Sequence, residues 1–269
     1  MSVSKKGSLT VVGSGIELVR DATIGTRMAI EQADKVLMLV TDPASETWIK
    51  KLNSNVESLF DCYVDGRPRL EAYKKMVGRI LEAVKAGFNV CVVFYGHPGV
   101  FVNPSHEAIR IARTQGFSAR MFPGISAEDC LFADIGLDPG KHGCQSFEAT
   151  DFLVRNRKFD PKSPLILWQI GTIGDLFYHK NGRVLETSLH GLQVLRNVLE
   201  THYDKNHEVI IYQASHLPLC QPSIQHVALA KIQEANVNAS STMYVPPQSP
   251  QTQDEEIIKK LGMVRIKNV

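Results

Sequence analysis

The chain has 269 residues, 43% hydrophobic and 22% charged, with a formal net charge of +2. That mixture excludes the disordered class, which combines low hydrophobicity with high charge. The 30 basic and 28 acidic residues form no long block of either sign, so the chain carries no electrostatic footprint for nucleic acid.

The size exceeds one compact core and favours two α/β lobes sharing a cleft. Met1 to Lys6 lead into a strand-like run without an apolar export segment, and no stretch approaches about 18 consecutive apolar residues, so neither export nor membrane spanning is expected. Cys62, Cys91, Cys130, Cys144 and Cys220 are odd in number, scattered, and lack a C-x-x-C pair; this pattern fits a reducing cytoplasm rather than a disulfide framework or zinc ribbon. The nine histidines include no H-E-x-x-H motif, and no metal site is expected.

In chain order, Ser8 to Val12 reads as a strand, Ala22 to Ala33 as an amphipathic helix and Val36 to Val40 as a second strand. Leu70, Tyr73, Val77, Ile80, Leu81 and Val84 recur at helical spacing, with Gly87 as a stop. Val90 to Tyr95 follows as a buried strand, Pro104 to Thr114 as a helix, and a short strand ends at Met121. This alternation is the pattern of a parallel α/β sheet. Punctuation thickens beyond Gly136, and the expected division is residues 1–136, a second lobe over 137–248, and a polar linker with a short terminal helix over 249–269. The second lobe reads as smaller and more mixed: a strand at Leu165 to Ile170, a helix at Ser188 to His202, a strand at Glu208 to Tyr212, a helix at Val227 to Glu234 and a strand at Ser241 to Val245. No internal repeat with a period of about 20 to 50 residues is present, and Pro246 to Asp254 is expected on the surface.

Two stretches concentrate features of a ligand site. Gly13-Ser14-Gly15 follows a strand, but Leu18 stands where a dinucleotide fingerprint needs its third glycine. A ligand-free tight turn and a loop beside a ligand both remain open, and a NAD site has little support. The run Phe94 to His106 is more specific: two glycines and a proline gather at the carboxyl end of a buried strand, where open α/β sheets hold ligands.

These stretches, with Gly7 to Gly15, Pro123 to Asp134 and Ser241 to Pro247, resemble the tetrapyrrole-methylase superfamily and, more closely, the borosin peptide α-N-methyltransferases. The resemblance covers nearly the whole chain. It implies two α/β lobes with S-adenosylmethionine in the inter-lobe cleft and S-adenosylhomocysteine as product. It carries cofactor contact onto Tyr95, His97, Val100, Phe101, Ser126, Ala127, Gln169, Ala214, Ser241 and Thr242, and catalysis onto Tyr63, Arg69, Tyr73 and Tyr95. Arg69 and Tyr73 are four apart on a predicted helix and share a face, with Tyr63 in the preceding loop.

A backbone amide is far less acidic than a phenol, whose usual pKa is about 10. Methylating its nitrogen therefore requires a base and a cation that holds the imidate charge. Arg69 suits the developing oxyanion, and a tyrosine lowered by that cation suits the base. The resemblance also implies a homodimer and a ribosomally made precursor peptide as substrate. Long family members carry that peptide after the catalytic lobes, whereas this sequence ends at Val269 after a short tail, so a precursor supplied in trans by a separate chain is expected, with a truncated self-methylating enzyme as the alternative. A tetrapyrrole or diphthine methylase is the rival enzyme, and a catalytically silent peptide-binding module the rival from another class.

Overall fold

A computed structural model describes residues 6–17, 19–40, 42–180, 186–249 and 253–263. The final residues 264–269, which include most of the expected short tail, lie outside that description, as do residues 250–252 of the expected linker.

The first half alternates β1 (Ser8–Gly13), α1 (Ile24–Gln32), β2 (Lys35–Leu39), α2 (Pro43–Leu52), β3 (Val56–Ser58), α3 (Arg69–Lys85), β4 (Asn89–Phe94), α4 (Asn103–Thr114) and β5 (Ser118–Met121). The five strands form one parallel sheet in the order β3-β2-β4-β1-β5. Strands covered by helices on both faces are apolar along their whole length. β4 illustrates the period of two: Val90, Val92 and Phe94 pack with Met76, Ile80 and Val84 of α3, while Cys91 and Val93 pack with Ile30 of α1 and Ile49 of α2. Capping fixes where helices start. Thr23 accepts the amide of Thr26 at 3.0 Å to open α1, and Asp42 accepts that of Ser45 at 2.7 Å before Pro43 at the head of α2.

The second half contains α5 (Ala127–Ile135), α6 (Pro139–His142), β6 (Gln145–Glu148), α7 (Ala149–Val154), β7 (Leu165–Trp168), α8 (Glu186–Leu199), β8 (Glu208–Gln213), β9 (Ser223–Ala228), β10 (Thr242–Val245) and α9 (Glu255–Lys260). Its sheet runs β6-β7-β10-β8-β9, parallel only between β6 and β7. The mixed character matches the sequence reading. Among the described residues each sheet has five strands.

The helix expected over Val227 to Glu234 is instead the end of edge strand β9 followed by a 3₁₀ turn over Leu229–Glu234. Leu229 and Ile232 are buried three residues apart, a spacing that 3₁₀ and α-helical turns share at this length. The segment after β10 lies at the surface as expected, with Gln248, Ser249, Gln253 and Asp254 exposed, and is anchored at its start: Pro246 accepts from His207 Nε2 at 2.9 Å and the Gln248 amide donates to Pro161 at 3.0 Å. α5 joins the halves: it follows β5 of the first sheet, yet its buried Leu131 packs with Ile166, Trp168, Ile210 and Tyr212 of the second.

Candidate functional site

The carboxyl end of β4 meets the second sheet across a cavity of about 430 Å³. Close packing at the end of β1 shapes its floor. A Cβ on Gly13 would stand 2.0 Å from the carbonyl oxygen of Gly96 and 2.8 Å from Pro98 Cδ, and Gly96 itself has φ +69°. Glycine at residue 13 therefore lets the loop after β4 lie directly on β1, which answers the question left by Gly13-Ser14-Gly15. The pair supports the ligand loop from behind, and of that turn only the following Ile16 reaches the cavity wall.

Eleven of the thirteen residues singled out from the sequence line this cavity: Tyr63, Tyr73, Tyr95, His97, Val100, Phe101, Ser126, Ala127, Gln169, Ala214 and Thr242. Arg69 and Ser241 do not. Ser241 is fully buried behind the wall, where its oxygen accepts from Gln213 Nε2 and from the Asn238 amide, both at 2.8 Å. It shapes the loop that presents Ala239 and Ser240 to the cavity. The hydroxyl of Ser126 is likewise engaged, in a capping box with Asp129 at the start of α5.

Phe101 and Gln169 face the cavity from opposite lobes, and both hold left-handed backbone, with φ of 55° and 59°. A non-glycine residue in that region costs about 1–3 kcal/mol and persists only where surrounding structure imposes it. The Phe101 ring lies 5.9 Å from that of Trp168, closing one side of the cavity between the lobes.

Tyr63 follows a short 3₁₀ turn (Phe60–Cys62) and stacks on Tyr178 at 4.6 Å, with Tyr73 edge-on at 6.4 Å. Arg69 opens α3 and is held by the second lobe: its amide donates to Leu176 at 2.9 Å and its Nη2 donates to the Asp175 carbonyl. Residues 66–69 and 174–178 thus form a strap across the lobes, completed by Gly66 to Tyr178 and Tyr178 to Arg67 amide bonds, each 2.9 Å. Burial pushes Tyr63 above the ordinary phenol range, the Tyr73 phenol adds to this, and the opposing pull of Arg69 is smaller. The lowering of a tyrosine by its cationic neighbour, expected from the sequence without deciding between Tyr63 and Tyr73, does not occur at Tyr63, because removing water from a phenolate outweighs one charge already engaged with a carbonyl.

Tyr95 also lines the cavity, with its hydroxyl 2.8 Å from His216 Nδ1. Burial also raises its pKa, reinforced by Cys130, Asp21 and Asp42. His216, Trp168, Tyr212 and Phe60 are cavity residues that the sequence reading missed. No periodicity or motif marks His216 or Phe60, whereas Trp168 and Tyr212 end buried strand runs at the edge where ligands bind and were accessible by that rule. Among the lining side chains Glu128 is the single carboxylate, and there is no lysine or arginine. The wall is largely aromatic and aliphatic, with polar atoms at Tyr95, His97, Gln169, Ser240 and Thr242. Among the described residues no group of three or more His, Cys, Asp or Glu side chains is arranged to hold a metal ion, and no helix is long and apolar enough to cross a membrane.

Two sheets, one parallel and one mixed, with an apolar, polar-studded cleft at the strand ends, define a two-lobed α/β architecture. The sequence pattern of the tetrapyrrole (corrin/porphyrin) methylases matches residues 8–236, and the chain belongs to that family, in the branch of the borosin methyltransferases. It is 42% identical over 264 residues to the methyltransferase/ribosomally synthesized cyclic peptide gymnopeptides precursor of Gymnopus fusipes, covering 96% of this chain and 61% of that one. To the corresponding omphalotin A precursor of Omphalotus olearius it is 40% identical, covering 97% and 63%. A type I borosin precursor of Coprinopsis marcescibilis is 39% identical, covering 96% and 68%. The chain thus spans about three fifths of the first two relatives. Uroporphyrin-III-C-methyltransferase from Thermus thermophilus superposes with a TM-score of 0.62 at 14% identity, covering 90% of this chain and 93% of that one, and cobalt precorrin-4 methyltransferase with 0.63 at 15%, covering 90% and 96%. At such identities the likeness defines the fold, the two-lobed form expected from the sequence.

Proposed function

We propose that this methyltransferase moves a methyl group from S-adenosylmethionine to backbone amide nitrogens of a ribosomally made peptide, releasing S-adenosylhomocysteine. The observation that carries the reading is the joining of two groups of residues in one cavity, the loop from Tyr95 to Phe101 and the pair Tyr63 and Tyr73. An aromatic wall without lysine or arginine fits a sulfonium cation, which is drawn to ring faces and repelled by like charge. The unpartnered first amides of α5, at Ala127 and Glu128, fit the carboxylate of its amino-acid end. When bound, S-adenosylmethionine supplies an electrophilic methyl group that a nucleophile displaces in line.

His97, Val100, Phe101, Gln169, Ala214 and Thr242 hold the cofactor, with Ser241 supporting from behind. Tyr63, whose proton burial retains, donates a hydrogen bond to the acceptor's carbonyl oxygen. Tyr73, acting as a phenolate after releasing its own proton to solvent, takes the amide proton and becomes a phenol again, and the charge of Arg69, fixed by the strap, favours the imidate that results. The precursor enters in trans and the enzyme acts as a homodimer, two features that accompany this reading as proposals.

The test incubates the protein and S-adenosylmethionine with a synthetic apolar peptide, and follows by mass spectrometry both the peptide and the protein itself. Successive methyl additions on backbone nitrogens of the peptide are expected, with Tyr73→Phe slower by about 10²- to 10⁴-fold and Tyr63→Phe by about 10²- to 10³-fold. Full turnover by both variants would sink the acceptor chemistry. Methyl groups found only on the protein's own chain would overturn supply in trans, and turnover of a tetrapyrrole in place of the peptide would replace the acceptor class.

A further inference from the structure

We propose that His216 is a positioning residue, acting through Tyr95, that turns the Tyr95 hydroxyl so its lone pairs face the sulfonium of the methyl donor. The inference rests on the donor-site reading above.

A phenol has one hydrogen and two lone pairs, and the hydrogen must point somewhere. Directed into the cavity, it would present positive charge to a cationic ligand. In this structure it has another destination: Tyr95 Oη lies 2.8 Å from His216 Nδ1, with the rings 5.3 Å apart and inclined at 48°. Burial and the nearby Cys130, Asp21 and Asp42 keep the proton on Tyr95. Burial also favours neutral imidazole at His216, against a smaller opposing pull from Asp42, and with the ring hydrogen on Nε2, the tautomer this pairing requires, Nδ1 is the acceptor. With the hydrogen committed to His216, the oxygen offers its lone pairs to the cavity.

The two partners come from different lobes, and each is fixed by its own backbone. The Tyr95 amide donates to Leu39 at 3.1 Å, which registers the end of β4 against β2. His216 sits in the loop after β8, where Ser215 Oγ donates to the Leu217 carbonyl at 3.0 Å and accepts the Leu217 amide at 3.3 Å, a local turn centred on residue 216. Both side chains line the cavity.

Calorimetric titration with S-adenosylmethionine and with S-adenosylhomocysteine tests this without an acceptor, because the second ligand lacks the positive charge and the methyl group. His216→Phe keeps a ring of similar size and removes the acceptor. It should weaken S-adenosylmethionine relative to S-adenosylhomocysteine by about fivefold, the worth of one net hydrogen bond. His216→Asn, which returns an acceptor near the position of Nδ1, should restore most of the difference. In a Tyr95→Phe background His216→Phe should add nothing. Equal weakening of both ligands, or additive effects of the two substitutions, would overturn the proposal and leave His216 a packing residue. A wild-type protein that bound neither ligand would overturn the donor-site reading instead.

Discussion

Gly13→Ala places a methyl group where the structure leaves no volume. The new carbon would stand 2.0 Å from the Gly96 oxygen and 2.8 Å from Pro98 Cδ, against an ordinary separation of about 3.5 Å, so the loop after β4 must retreat by more than about 1 Å. Overpacking of this kind costs about 1–3 kcal/mol, and at this chain length each kcal/mol lowers Tm by about 2–4 °C. The functional effect should exceed the loss of stability, because the displaced residues flank His97 on the cavity wall; a shift of about 1 Å at a reacting site costs on the order of 10²-fold in rate. Gly78→Ala is the control: its Cβ, within α3, would meet nothing within 4 Å, so alanine should stabilise the helix by about 0.5–1 kcal/mol. Thermal denaturation and titration with S-adenosylmethionine on both variants decide the matter. If Gly13→Ala matched the wild type in Tm and affinity, the close packing of Gly13 on Gly96 would not govern the loop, and the account of the cavity floor would be wrong.

Leu131→Ala, at a fully buried residue of α5 packed on the second sheet, should cost about 2–5 kcal/mol in urea denaturation; a loss below about 1 kcal/mol would mean that α5 does not anchor there. Stability should also fall on mild acidification in a way that depends on His216. Burial holds its native pKa below the unfolded value of about 6.5, so as pH drops from there toward the native value the unfolded chain takes up a proton that the native protein resists. His216→Phe should flatten that part of the stability profile measured between about pH 7 and 5, and an unchanged slope would show that His216 is not desolvated.

The strands of the first sheet were legible because helices cover both faces, so each appears as an unbroken apolar run; β1, β2 and β4 all fall within a residue or two of the expected bounds. The edge strand β9 was not legible. None of Ser223 to Ala228 is buried and half of them are exposed, no alternation marks the strand, and the buried Leu229 and Ile232 then imitate a helical stripe. At the site, glycine and proline marked the loop after β4, since chain reversal beside a ligand demands those residues. Tyr178 and His216 carry no such mark. Each acts through a partner more than a hundred residues away, Tyr63 and Tyr95 respectively, and a contact of that range leaves no trace in local spacing. The same limit explains Tyr63: the sequence showed its cationic neighbour, but not that Arg69 would be engaged by a carbonyl of the other lobe.

The strap between residues 66–69 and 174–178 has a consequence for the order in which the molecule is completed. Contacts between distant parts of a chain form late, after the loop that separates them has closed. Gly13 and Gly96 meet within the first sheet, so the donor loop takes shape as soon as that sheet exists. Arg69 meets Asp175 only when the second lobe has docked. A half-folded chain therefore has only the first-sheet wall of the cavity, and the cation at the head of α3 is fixed last.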